Sequence, residues 1–166
     1  MKKRSFFSLL AIAMLFLSAC APKPNMEDLL SYQKAGTELS LRITDAEIFH
    51  ADLRITENGL SLTFTDEKRE GISYGMDKNG QLRMFFEDVE IPLVPNDELK
   101  CKDWLTLFDI NCGDNIWRIK RDTVGGISVY VCRDERITLY IDATSGLPLK
   151  IESGNIAIDV LKARKP

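Results

Sequence analysis

The stretch Phe49-His50-Ala51-Asp52-Leu53-Arg54-Ile55-Thr56-Glu57-Asn58-Gly59-Leu60-Ser61-Leu62-Thr63-Phe64 decides the fold. Apolar side chains alternate with polar ones on both arms, and Glu57-Asn58-Gly59 supplies a turn between them, so the segment reads as an antiparallel hairpin with one buried face. The same period of two spreads outward in both directions. Upstream, Leu39, Leu41 and Ile43 alternate with Ser40 and Arg42. Downstream, Ile72, Tyr74 and Met76 form an arm that turns through Asp77-Lys78-Asn79-Gly80 and returns over residues 82–94, where Pro92 confines the last piece to an edge or a strand end. After residue 116 the pattern resumes with Trp117 and Ile119, a Val124-Gly125-Gly126 turn, residues 127–132 and 137–141, a Thr144-Ser145-Gly146 turn, and residues 149–151 and 156–161.

Two segments break this period. Asn25 is placed to cap a short helix over 26–35, with Glu27 and Asp28 suited to its dipole, Met26, Leu29, Leu30 and Gln33 at helical spacing, and Gly36 to end it. Between Pro95 and Gly113, Asn96 is a second cap, and Trp104, Leu105 and Phe108 share one face. The expected architecture is α+β: one large curved antiparallel sheet, a half-barrel of about 8–10 strands, packed on two short helices as a single domain over 26–166.

At 166 residues, 45% hydrophobic and 28% charged, the chain has too much apolar surface for a disordered segment and too few cysteines, four, for a disulfide-dense miniature fold. With 25 acidic residues against 22 basic ones it lacks the cationic face a polyphosphate needs, so no nucleic-acid partner is expected. The first residues read differently from the rest. Lys2, Lys3 and Arg4 precede an apolar run over 6–19 that is shorter than the roughly 20 residues a spanning helix requires, which is the pattern of a secretory signal peptide. Leu17-Ser18-Ala19-Cys20 resembles the lipobox of bacterial lipoproteins. That resemblance implies cleavage after residue 19, diacylglycerol on the sulfur of Cys20, and an extracytoplasmic protein anchored by lipid to the cell membrane. Residues 20–25, with Pro22 and Pro24, then form a tether. Removing the three cations of the signal segment takes the formal charge from −3 to −6, so the lipid rather than a basic patch holds such a protein at a bilayer.

Catalytic signals do not cohere. Gly71-Ile72-Ser73-Tyr74-Gly75 matches the letters of a nucleophile elbow, but it reads as a strand rather than a strand-turn-helix, and the sole histidine, His50, precedes it. His50 falls on the polar side of its strand with no second ligand at metal spacing. Asp77-Lys78-Asn79-Gly80 and the Asp109, Asn111, Asp114 cluster lack the bidentate glutamate of a calcium loop, and no phosphate-cradling or dinucleotide motif occurs. No enzyme, metal or cofactor is expected. Beyond Cys20, three thiols remain, so at most one internal disulfide forms. Cys101–Cys112 requires the second helix to stop near Ile110, since the ends of an eleven-residue helical span stand about 16 Å apart, beyond disulfide reach; Cys112–Cys132 and no bridge at all are the alternatives.

Leu29-Leu30-Ser31-Tyr32-Gln33, Leu107-Phe108-Asp109-Ile110, Leu139-Tyr140-Ile141-Asp142 and Gly146-Leu147-Pro148-Leu149-Lys150-Ile151 together resemble small lipoproteins of clostridia and related Gram-positive bacteria. More broadly the layout is similar to the lipoprotein-carrier superfamily of LolA-like and LppX-like proteins, which implies a half-barrel that wraps helices and holds acyl chains. On that footing Phe64, Phe86, Trp104, Phe108 and Trp117 are the candidate face for a lipid or other apolar ligand. The competing expectation is an envelope protein-interaction or sensor module, for which the charged outer strand face suits a wet interface.

Overall fold

The computed structural model describes residues 24–93, 95–110 and 116–166. Its chain forms eleven strands: β1 (Glu38–Thr44), β2 (Ile48–Thr56), β3 (Gly59–Phe64), β4 (Ile72–Asp77), β5 (Leu82–Phe86), β6 (Val89–Ile91), β7 (Arg118–Val124), β8 (Ile127–Arg133), β9 (Thr138–Asp142), β10 (Pro148–Ser153) and β11 (Ile156–Arg164). All belong to one antiparallel sheet in the order β6-β5-β4-β3-β2-β1-β11-β10-β9-β8-β7. The sheet is therefore two meanders joined at the middle by the first and last strands, with β6 and β7 as opposite edges. The order is consistent with a curved sheet, and it is not closed.

This corrects the expected class, which is mostly β rather than α+β, and the strand number, which is eleven. Two effects account for the difference. The first helix shrinks to α1 (Met26–Leu29), four residues capped by the Asn25 side chain, followed by a 3-10 turn, η1 (Leu30–Gln33). So short a segment gains too few helical hydrogen bonds to propagate before Gly36, at φ +93°, ends it. The second helix, α2 (Pro95–Thr106), has twelve residues. The extra strand arises within residues 82–94, where Glu87 and Asp88 adopt φ of 44° and 67° and make a tight hairpin between β5 and β6. Both central residues of such a turn are left-handed, a conformation usually signalled by Asn-Gly, so Glu-Asp hides it.

Register explains the core. On the inner face one row runs Ala163, Leu39, Leu53, Leu62, Tyr74, Met84 and Ile91 across neighbouring strands. A second runs Ile119, Cys132, Leu139, Ile151, Ile158, Ile43 and Phe49. The alternation seen in sequence thus becomes a continuous apolar floor, which α2 covers through Trp104 and Leu105 as the chain passes from one sheet edge to the other. A bulge on β11 shifts the pairing between Ser40 and Leu41, leaving Leu161 unpaired and 52% exposed while Val160 and Ala163 both reach the floor.

Candidate functional site

Between the inner face of β2–β5 and α2 lies a cavity of about 350 Å³, lined by Phe49, Phe64, Tyr74, Met84, Cys101 and Trp104, with Glu47, Arg69 and Lys100 at its rim. Strand pairing brings the first aromatics together: Ala51 pairs with Phe64, so Phe49 is the diagonal neighbour on the same face. Their rings stand 6.1 Å apart, Phe64 meets Tyr74 edge-on at 6.1 Å, and Trp104 of α2 closes over Phe49 at 4.8 Å and Phe64 at 6.4 Å. Trp104 is 2% exposed, yet its Nε1 has no hydrogen-bond partner among the described residues. A buried indole N–H left without an acceptor, between two phenyl rings that offer it none, is an unusual expense.

Arg69 ends η2 (Glu67–Arg69), a 3-10 turn between β3 and β4. Its guanidinium carbon lies 4.4 Å from the Phe49 ring centroid and 5.8 Å from that of Phe64. Nη1 donates to Asp66 Oδ1 at 3.1 Å and Nη2 to Glu47 Oε2 at 3.2 Å. The half-buried cation therefore sits across the mouth on an aromatic base, held from two sides by carboxylates. The arrangement can receive an elongated apolar group against the rings and a polar head at the rim.

A larger concavity, about 590 Å³, opens on the opposite face among Glu38, Ser40, Asp52, Arg54, Thr63 and Lys162. It follows the solvated side of the central strands, where Arg54 and Glu38 pair at 3.0 Å, and the side chains on that face are polar or charged, without the aromatic rings of the smaller cavity. Size alone does not identify the site.

Of the five aromatics expected on a ligand face, the structure brings Phe64 and Trp104 into the cavity. Phe108 is buried at the other end of the inner face, beside Ile55, Leu60 and Met76, where its carbonyl accepts from Gln33 Nε2 at 2.8 Å. Phe86 is 45% exposed on β5 next to the sheet edge, and Trp117 precedes β7 at the far edge, packed against the core with its Nε1 buried and unpartnered among the described residues. Phe49 was read only among the aromatics of the sheet, and Tyr74, Met84 and Arg69 were not singled out by sequence. Register is the signal that finds the first three, whereas nothing in Asp66-Glu67-Lys68-Arg69-Glu70 marks Arg69 as facing inward.

Ser73 and His50 lie on the outer face of β4 and β2, separated by β3. Among the described residues no group of three or more His, Cys, Asp or Glu side chains could hold a metal ion. Asp77 closes its hairpin, its Oδ1 accepting from the backbone of Asn79 and Gln81, both at 2.9 Å. Cys101 and Cys132 are buried, and burial pushes the Cys132 thiol up to about 11. Cys20 and Cys112 lie outside the described residues, and with them the lipidation site and the Cys101–Cys112 pairing. No described helix is long and apolar enough to cross a membrane.

No family model matches this chain, and no curated protein does. Its fold is similar to that of a crystallised uncharacterized conserved protein from Thermus thermophilus, with a TM-score of 0.55, 10% identity and 85% of each chain covered. At that identity the likeness concerns the fold alone.

Proposed function

We propose that this chain is a lipid-anchored extracytoplasmic protein that holds a lipid or another apolar ligand between its inner sheet face and α2. The supporting observation is the aromatic cavity under α2, whose wall contains an indole N–H with no acceptor among the described residues. A ligand with an apolar chain and a hydrogen-bond-accepting head would satisfy both features. An open sheet with a helix across its inner face also agrees with what the resemblance to lipoprotein carriers implies. The proposal assigns the protein no catalytic step.

Two measurements test the reading. Organic extracts of the purified protein are expected to yield a lipid by mass spectrometry, and the delipidated protein to bind cis-parinaric acid with displacement by natural fatty acids; failure of both sinks the ligand assignment. For the anchor, metabolic labelling with a fatty-acid probe is expected to be lost in Cys20→Ser. Label that persists in that variant places the lipid elsewhere.

A further inference from the structure

We infer that the tip of the β7–β8 hairpin rests on an anionic phospholipid surface, giving the protein a second membrane contact beside the lipid on Cys20. The inference rests on the proposed anchor for where the membrane lies. Strand directions divide the sheet into two ends. One carries the β2–β3, β4–β5, β7–β8 and β9–β10 turns, and the segment from Ser31 to Gly36 is held there: the Gly36 N–H donates to the Ile55 carbonyl at 2.8 Å, and a Cβ at Gly146 would stand 3.7 Å from Ser31 Oγ. Four chain steps separate Cys20 from Pro24, a reach of at most about 14 Å, and the helical residues from 26 to Ser31 add only about 1.5–2 Å each, so a lipid on Cys20 keeps this end close to the bilayer.

At this end the hairpin tip exposes two apolar side chains, Val124 at 50% and Ile127 at 46%, on either side of Gly125-Gly126. The bulge residue Leu161, also exposed, lies towards the same end on β11, followed by Lys162, Arg164 and Lys165. Apolar exposure alone does not choose between the ends, because Ile48 and Val89 protrude at the other one by 60% and 64%. Charge does. The turns at that far end, residues 45–47, 65–71, 87–88, 134–137 and 154–155, hold nine carboxylates against three cations. The turns and tail at the tether end hold Lys34, Lys78 and Lys165 against Glu57, and even with Glu27 and Asp28 of α1 and Asp109 beside Lys78 counted the excess is one carboxylate, against six at the far end. An anionic surface repels the first set and tolerates the second, so the protein stands on its β7–β8 end with its acidic turns outward.

The test uses the intact lipidated protein in nanodiscs of phosphatidylcholine and phosphatidylglycerol, with an environment-sensitive thiol label at Ile127→Cys or, at the far end, Ala46→Cys; labelling of the unsubstituted chain sets the background. Brominated lipids are expected to quench the label at 127 and leave that at 46 unchanged. Disc-bound protein with 127 unquenched, or with 46 quenched as strongly, overturns the inference while leaving the anchor standing. Protein that fails to enter the discs at all overturns the anchor and this contact with it.

Discussion

Trp104→Phe separates the indole N–H from the ring that carries it. The ring packs 4.8 Å from Phe49 and 6.4 Å from Phe64, and a phenyl group keeps most of that contact. It leaves roughly 40 Å³ unfilled, which at about 24 cal/mol per Å³ costs about 1 kcal/mol. Removing a buried donor that has no partner relieves roughly 1–3 kcal/mol. In the ligand-free protein the variant is therefore expected to be as stable as the parent or more so, by up to about 2 kcal/mol. Urea unfolding of delipidated protein reads this directly, with an unchanged m-value showing that the shift lies in stability rather than in compactness. Ligand binding moves the other way: losing a hydrogen bond of about 1 kcal/mol weakens cis-parinaric acid about fivefold. A ligand-free variant destabilised by more than about 2 kcal/mol refutes the reasoning, because it means that Nε1 is already bonded within the protein and that no ligand is needed to satisfy it.

Arg69→Ala removes the stacked cation and leaves Asp66, whose Oδ2 is already buried without a partner among the described residues, with less compensation; a loss of about 1–3 kcal/mol in urea unfolding is expected, mostly from those two contacts rather than from the exposed Glu47. The raised Cys132 pKa means that the unfolded chain gives up this proton first, so stability from this group is intact below pH 9 and declines as pH rises from 9 towards 11. The decline is up to roughly 3 kcal/mol, and comparing unfolding curves of Cys132→Ala with the parent over that range isolates it. Asp88→Gly relieves a left-handed residue in the β5–β6 turn and is expected to raise the urea midpoint, by about 0.5–1 kcal/mol in stability.

The strands were legible because half-burial writes itself into sequence as alternation. Leu39, Leu41 and Ile43, for example, are all buried, with polar neighbours between them. The β5–β6 hairpin was not, since its turn residues carry no glycine and its second arm is three residues long. Nor was the membership of the cavity. Phe49 and Phe64 meet through register, but Phe86 and Trp117 are kept apart by a strand order that places β5 and β7 towards opposite edges. Only the pairing of β1 with β11 sets that order, and no local pattern encodes a contact between residues 38 and 164.

That pairing also determines when the protein can fold. The first and last strands meet in the middle of the sheet, with Leu41 against Val160 and Ile43 against Ile158, so neither meander has its inner neighbour until the final residues are present. A chain delivered from its N-terminus exposes the β1 edge until β11 emerges and joins the two meanders. The two halves of the sheet thus stay separate until residues 156–164 have been made, and β11 is the piece that locks them together.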